Sequence, residues 1–216
     1  VVKTNAADKL RETFLKSSWN SDLVAFSGNT AHNNHWKRTT SSLVPVPELC
    51  ATYRNPVGII SKAALLARDI DVFQELQKTT WIKVYLSIPF QSDEMARKVE
   101  PQAPSISKRF ATIEALAKAG TPAAVSIALH PGLNDHDTPH ILARARDAEA
   151  QDATFILLRL NDNVTNVLIE RMIHHFPDKI QKNYPDSEKF AKAKQENISS
   201  SNGILVMAPP GKSFPS

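Results

Sequence analysis

The chain has 216 residues and a formal net charge of +4. Of its residues, 42% are apolar and 22% are charged. This length and composition are typical of one soluble globular domain with a sizeable core. Its single cysteine, Cys50, excludes an internal disulfide and any cage of several cysteines around zinc or an iron–sulfur cluster. The lack of an internal disulfide fits a reducing compartment, so a cytoplasmic protein is predicted, and because no apolar run can span a bilayer, no membrane partner is predicted. The mild positive charge permits an anionic ligand without requiring nucleic acid.

Along residues 1–176, short apolar runs alternate with amphipathic stretches, a pattern that predicts βαβ units and a parallel sheet. The predicted helix at 105–119 is followed by Gly120, a residue suited to a helix C-cap. Residues 31–47 show neither period, and their two prolines oppose a helix, so an irregular loop is predicted there. The predicted strands are 22–27, 57–61, 82–88, 123–129 and 154–160, and the predicted helices are 1–16, 47–53, 69–78, 105–119, 138–150 and 164–176.

Small and polar residues close the first predicted strand, at Ser27, Gly28, Asn29 and Thr30. In parallel α/β folds, ligands bind at the carboxyl ends of the strands. Gly28 would let a ligand approach the backbone closely, and the three polar side chains can hydrogen-bond to it. A strand that simply ends in a polar turn explains the same residues equally well. The later strands decide between these readings, because they also end in polar residues.

Five short motifs follow one another along the chain: 25–30 (Ala-Phe-Ser-Gly-Asn-Thr), 53–62 (Tyr-Arg-Asn-Pro-Val-Gly-Ile-Ile-Ser-Lys), 84–88 (Val-Tyr-Leu-Ser-Ile), 96–109 (with Ala-Arg-Lys-Val-Glu-Pro, Ala-Pro-Ser and Lys-Arg) and 131–135 (Pro-Gly-Leu-Asn-Asp). Together, in this order, they resemble the bacterial radical S-adenosylmethionine (radical SAM) proteins of the spore-photoproduct-lyase-like group. The resemblance covers most of residues 1–176.

The resemblance implies an α/β fold, namely a partial (β/α)6 TIM-like barrel of parallel strands. In that family, three cysteines of a CxxxCxxC loop hold a 4Fe-4S cluster that binds S-adenosylmethionine (SAM). One-electron cleavage of SAM then gives a 5′-deoxyadenosyl radical, which abstracts hydrogen from a substrate. The residues that correspond to the SAM site of the family, or to its adjoining loop, are Ser27, Gly28, Asn29, Thr30, Lys62 and Ser87.

The chemistry of these positions agrees with the resemblance. The carboxylate and ribose of SAM need a cation and hydroxyl groups that come from neighbouring strand ends. Lys62 and Ser87 supply such groups after the second and third predicted strands. The alternatives are that Lys62 is a solvated lysine just past a strand and that Ser87 is a small residue chosen by packing.

The chain departs from the family in its cluster ligands, because it has one cysteine and no CxxxCxxC motif. The first strand and cluster loop of the family are therefore predicted to be missing. Residues 1–178 are predicted to form a partial barrel, and residues 179–216 a weakly ordered tail. The predicted function is that of a truncated radical SAM protein, inactive as it stands, from a fragment or a decayed coding sequence. The alternatives are a catalytically inactive remnant and a DNA-interacting repair module, and the substrate is unknown.

Other polar residues have simpler interpretations. Asn134 and Asp135 are predicted to turn the chain and cap the next helix. Glu100 could contact a substrate at the barrel mouth, although a solvated acid is the favoured interpretation. His136 and His140 would share one helical face, but they have no acidic or cysteine partner at a convincing spacing. Surface histidines and no metal site are therefore predicted.

Overall fold

The computed structural model describes residues 6–27, 46–129, 133–157, 170–178 and 205–207. Nearly all of the predicted loop at 31–47, and most of the predicted tail at 179–216, lie outside these residues. Among the residues that are described, no helix is both long enough and apolar enough to cross a membrane.

Most helices and strands of the described chain follow one another in the order that the sequence predicts. The strands are β1 (Val24–Ser27), β2 (Val57–Ser61), β3 (Ile82–Ser87), β4 (Ala123–Leu129), β5 (Ala153–Leu157) and β6 (Leu205–Met207). The helices are α1 (Ala6–Phe14), α2 (Val46–Thr52), α3 (Ile70–Gln77), α4 (Asp93–Val99), α5 (Ile106–Lys118) and α6 (Thr138–Asp147), with 3-10 turns at Ala64–Asp69 and Asp135–Asp137 and a further helical stretch at 170–175.

The strands form one sheet in the order β1-β2-β3-β4-β5-β6. β1 to β5 run parallel, and β6 pairs antiparallel with β5. Successive strands of the described chain are neighbours in the sheet, so their order never reverses. A barrel-type fold has this order, whereas a doubly wound sheet reverses it at a switch point. The sheet is therefore consistent with a partial α/β barrel-like fold, while barrel closure and the absence of a first strand stay predictions.

One face of the sheet carries the apolar core. On β3, Ile82, Val84 and Leu86 are buried, and the residues between them are partly exposed. α3 and α5 contact β3, and α5 and α6 contact β4, so that Phe73 and Phe110 join the same core cluster. Because crossovers between parallel strands are right-handed, successive helices cover the same face when the strand order does not reverse.

The other face carries hydrogen-bonding side chains, and we call it the polar face. Its members are Lys83, Tyr85 and Ser87 on β3, Ser126 on β4 and Thr154 on β5. They share a face because side chains alternate along a strand and because Ser87 pairs with Ser126, which pairs with Thr154. None of the five belongs to the apolar core cluster. The sheet thus presents apolar residues to the helices, and its opposite side carries these five polar residues together with apolar ones such as Ile60, Ala124 and Ile156.

Capping residues fix the helices that follow β3. The hydroxyls of Ser92 and Ser105 accept hydrogen bonds from the backbone N–H groups of Met95 and Lys108, at 3.2 and 3.3 Å, and thereby cap α4 and α5. Gly120, with a φ of +74°, ends α5 in the left-handed conformation, as predicted for a C-cap.

Two of the observed elements, a helix and a strand, were not predicted from the sequence. α4 was not predicted, because only Ala96 and Val99 of its seven residues are buried and they make no recognisable apolar stripe. In the region predicted to be a weakly ordered tail, Leu205–Met207 forms a strand beside β5. The predicted short helix at 47–53 is confirmed by α2.

Candidate functional site

A row of polar residues crosses the sheet from the carboxyl end of β2 to β5. Lys62 follows β2 directly, and Ser61 pairs with Leu86. Continuing this register by one residue places the backbone of Lys62 beside that of Ser87, the last residue of β3. Ser87 pairs with Ser126, and Ser126 pairs with Thr154. Because neighbouring strands lie about 4.8 Å apart, this row spans about 14 Å. β4 and β5 extend beyond the row, so Ser126 and Thr154 lie deeper on the polar face than Lys62.

The end of β1 lies at the same edge of the sheet. Ser27 pairs with Ile60, which is two residues before Lys62. The backbone of Ser27 is therefore displaced by about 7 Å along the strand direction from the row that contains Lys62. Ser27, Lys62 and Ser87 thus close three neighbouring strands. The other predicted site residues, Gly28, Asn29 and Thr30, lie outside the described part of the chain.

An ion-pair network holds Lys62. Its Nζ donates to Glu100 Oε1, and Glu100 Oε2 accepts a hydrogen bond from Arg109 Nη2 at 2.8 Å. Arg109 also donates through Nη1 to the carbonyl of Ser87 at 2.7 Å, and through Nε to the carbonyl of Pro104 at 2.9 Å. The side chain of Arg109 is 0% exposed and that of Glu100 is 15% exposed. Glu100 therefore bridges two cations and ties the end of β2 to the end of β3.

The network carries excess positive charge. Burial alone would raise the pKa of Glu100, but the charges of Lys62 and Arg109, together with the hydrogen bonds they donate, hold that pKa below its ordinary value of 4.5. One carboxylate thus faces two cations. Lys62 is the most exposed member, with 43% of its side chain accessible, so the positive charge is presented to solvent beside Ser87.

The turn after β2 sets the path of the chain at Lys62. The buried hydroxyl of Ser61 accepts a hydrogen bond from the backbone N–H of Ala63 at 3.0 Å. A serine hydroxyl bonded to the backbone two residues on mimics a backbone turn. This local bond spans Lys62 and limits the conformations of its backbone.

An exposed ammonium beside a hydroxyl can bind a carboxylate and a neighbouring polar group. The ammonium carries three N–H donors, and Lys62 uses one of them on Glu100. The hydroxyl of Ser87 makes no hydrogen bond to any residue that the structure describes, and it can both donate and accept. The two residues can therefore bind a ligand that has an anionic group and a second polar group.

Asn134 braces the segment beyond β3. Its Nδ2 donates to the carbonyls of Pro89 and Ala128, at 2.6 and 2.8 Å, and the residue is 0% exposed. The prediction that its side chain caps the next helical turn is wrong, because no cap hydrogen bond forms there. Instead, Asn134 joins the segment after β3 to the carboxyl end of β4.

The side chains present do not fit an iron–sulfur cluster. Cys50 is completely buried in α2, and burial raises its pKa to about 12, whereas a metal ligand must be a thiolate. Within the described ranges, no group of three His, Cys, Asp or Glu side chains is arranged to hold a metal ion. His136 lies in a 3-10 turn and His140 in α6, so the two do not share one helical face as the sequence predicted.

A second ion pair lies on the polar face towards the amino ends of the strands. Lys83 donates to Asp152 Oδ2, and their side chains are 11% and 6% exposed. The ion pair joins β3 to the start of β5 on the face of the sheet that carries Ala124 of β4. Asp152 Oδ1 is buried and accepts no hydrogen bond in the described structure. Burial, with a smaller effect of Asp152, raises the pKa of the nearby Tyr85 to about 12.

No protein-family model matches the chain. Uncharacterized proteins of Mycobacterium tuberculosis and Mycobacterium bovis are each 31% identical to it over 139 residues. The matched region covers 62% of this chain and 40% of each mycobacterial protein. The chain therefore spans less than half the length of these relatives.

Two solved structures of spore photoproduct lyase variants resemble the fold. Each aligns with a TM-score of 0.46 and 16% sequence identity, over 80% of this chain and 50% of the lyase chain. One of the two contains bound AdoMet and a dinucleoside spore photoproduct.

Sequence reasoning missed three residues of this region, Arg109, Ser126 and Thr154. Arg109 belongs to one of the sequence motifs, but no role could be predicted for it. Its hydrogen-bond partners lie on other elements and are brought to it only by the fold. Ser126 and Thr154 could have been found from the sequence, because each is a hydroxyl residue within an otherwise apolar strand. Parallel strands that are buried on both faces read as nearly continuous apolar runs, so a polar residue within one indicates a polar side of the sheet.

Proposed function

We propose that this chain is the SAM-binding part of a radical SAM-type protein. Lys62 binds the carboxylate of the methionine moiety, and Ser87 binds a hydroxyl of the ribose. Ser27 and the loop of Gly28, Asn29 and Thr30 line the same ligand from the end of β1. Binding takes place at the carboxyl ends of the strands, where ligands of parallel α/β folds are found.

The observation that carries this proposal is that a partly exposed lysine and a serine lie at the ends of adjacent parallel strands. Lys62 and Ser87 are 25 residues apart in the chain, yet the register of β2 and β3 makes them neighbours. Arg109 contributes a second positive charge through Glu100, which favours an anionic group at this position. The ordered motifs of the sequence support SAM as the source of that carboxylate.

The chemistry of a complete protein belongs to the proposal as well. When SAM is bound and reduced at an iron–sulfur cluster, it supplies an organic radical that starts chemistry on a substrate. The buried Cys50 cannot provide the three thiolates of such a cluster, so we assign binding, and no catalytic step, to this chain. In a longer protein with those cysteines, we propose a lyase-type radical reaction.

Isothermal titration calorimetry with SAM tests the proposed binding on the chain as it stands. We expect saturable binding, which Lys62→Met weakens by about tenfold or more because a hydrogen bond to a charged group is lost. Ser87→Ala should weaken it less, because a neutral hydrogen bond is lost. The Lys62→Met variant should still fold, since Glu100 keeps its hydrogen bond with the buried Arg109.

Lys118→Met is the matched control, because Lys118 is an exposed lysine at the end of α5, outside the proposed site. Equal affinities of the Lys62→Met and Lys118→Met variants for SAM would overturn the proposal. If the chain bound double-stranded DNA with a steep salt dependence and did not bind SAM, the repair-module alternative would take its place.

A further inference from the structure

The polar row continues past the proposed cofactor residues onto β4 and β5. Ser87, Ser126 and Thr154 lie side by side on three adjacent strands, and we call them the hydroxyl row. Adjacent members are about 4.8 Å apart at the backbone. A single small molecule lying across the strands can therefore reach two or three of these hydroxyls.

Ser126 is the member that points to a ligand. It is 4% exposed, yet its hydroxyl makes no hydrogen bond with any residue described here. Its oxygen is not among the described buried side-chain atoms that lack a partner, so it remains accessible and can donate to or accept from a small molecule. The hydroxyls of Tyr85 and Thr154, on the same face, also make no hydrogen bond within the described part of the chain.

Among the described residues of the polar face, those near Ser126 and Thr154 carry no net charge. Lys83 and Asp152 neutralise each other in a largely buried ion pair. Tyr85 keeps its proton at neutral pH, because burial raises its pKa to about 12. Lys62 lies at the far end of the row and is paired with Glu100. An uncharged ligand group is therefore favoured over an ion at this part of the polar face.

We propose that Ser126 and Thr154 bind an uncharged hydroxyl- or amide-bearing group of the substrate, next to the cofactor at Ser87. Ser126 lies three residues before the end of β4 and Thr154 three residues before the end of β5, so the group lies about 10 Å below those strand ends. The substrate role rests on the proposed SAM-binding function, whereas the binding of an uncharged polar group does not.

Saturation-transfer NMR on the full chain tests this site with four small probes. Glycerol and acetamide are the uncharged probes, and acetate and methylammonium are the charged ones, each measured with and without S-adenosylhomocysteine. We expect strong transfer to the uncharged probes. In the double variant Ser126→Ala/Thr154→Val, that transfer should fall by about fivefold or more, because two neutral hydrogen bonds are lost.

Two further variants make the result specific. Thr154→Ser keeps a hydroxyl and should retain transfer, and Ser107→Ala, on the exposed surface of α5, should behave as the native chain. If the double variant does not fold by circular dichroism, Ser126→Ala and Thr154→Val are measured separately. Unchanged transfer after removal of the hydroxyls, or stronger transfer to acetate or methylammonium, would overturn the proposal.

The same experiment separates the two proposals. If the uncharged probes bind through Ser126 and Thr154 while S-adenosylhomocysteine does not bind, the hydroxyl row stands and the cofactor site fails. If S-adenosylhomocysteine binds, and transfer to the probes is the same in the native chain and in Ser126→Ala/Thr154→Val, the cofactor site stands. The inference about Ser126 and Thr154 then fails.

Discussion

Arg109 uses three of its nitrogens to join two strand ends that the backbone alone would leave independent. Nη1 binds the carbonyl of Ser87, Nη2 binds Glu100 and Nε binds the carbonyl of Pro104. A lysine could not make this set of bonds, because its ammonium is a point donor and lacks the planar fork of a guanidinium. The position of Lys62 relative to Ser87 therefore depends on a buried residue that no ligand would touch.

Removal of the charge on Glu100 should destabilise the fold strongly. In Glu100→Gln, the completely buried Arg109 loses its anionic partner, and breaking a buried pair from one side costs about 3–5 kcal/mol. Urea unfolding at pH 7 measures the loss. In the control Glu94→Gln, an exposed pair with Lys98 is broken, and the expected loss is at most about 0.5 kcal/mol. Equal losses in the two variants would contradict the role given to Glu100.

The stabilisation from Glu100 should also depend on pH. The folded-state pKa of Glu100 lies below its ordinary value of 4.5, so the folded state favours the ionised carboxylate. The contribution is therefore complete above pH 4.5 and is lost as the pH falls through the folded-state pKa. The difference in unfolding free energy between the native chain and Glu100→Gln should shrink over that acid range. A difference that stays constant down to pH 3 would contradict this assignment.

Asn134 provides a second test at the scale of a single side chain. Asn134→Ala leaves the carbonyls of Pro89 and Ala128 without its two hydrogen bonds, and such a loss costs about 1–3 kcal/mol. Chemical denaturation measures it, and Asn20→Ala is the control because Asn20 is exposed. A loss in Asn134→Ala no larger than in the control would show that the bridge does not stabilise the fold.

Among the elements, α5 depends on the conformation of the residue that ends it. Gly120 has a φ of +74°, and a Cβ added there would meet no atom within 4 Å. The cost of Gly120→Ala therefore comes from the backbone alone, and we expect about 1–2 kcal/mol for an L-residue in the left-handed region. Gly120→Asn should cost less, because asparagine tolerates this region better. Thermal unfolding compares the two, and equal stability of the alanine variant and the native chain would contradict the cap.

The elements that the sequence predicted well are those with many buried apolar residues. β2 and β4 have the predicted bounds, since nearly every residue of each strand is buried and the apolar runs are unmistakable. α4 has four charged residues among its seven, and it depends on the cap at Ser92 and on packing against α5. Its sequence alone carries too little periodicity to reveal it.

In the candidate site, too, some residues could be predicted from the sequence and others could not. The placement of Lys62 and Ser87 at neighbouring strand ends could be predicted, because Lys62 directly follows one apolar run and Ser87 ends the next. Glu100 is 38 residues from Lys62, and Arg109 is 22 residues from Ser87. Pairs so far apart are set by tertiary packing, so the sequence offered no ground for joining them.

For the whole described molecule, strand order determines where a ligand can bind. Because β1 to β5 follow one another without a reversal, α3, α5 and α6 pack on the apolar face, and the polar face is built from all the central strands. The row from Lys62 to Thr154 follows the pairing of residues from strand to strand. It lies at the carboxyl ends of β2 and β3, but three residues before the carboxyl ends of β4 and β5. A cofactor at Lys62 and Ser87 and a substrate group at Ser126 and Thr154 would thus lie on one face of the sheet.

Amide chemical-shift mapping with SAM on the 15N-labelled chain tests the central claim most directly. We expect the largest shifts at the amides of Lys62 and Ser87, with smaller shifts at Ser126, and none at Trp81 or Thr121 near the amino ends of β3 and β4. Shifts confined to the amino ends of the strands, or no shifts at saturating SAM, would contradict a ligand site at the carboxyl ends.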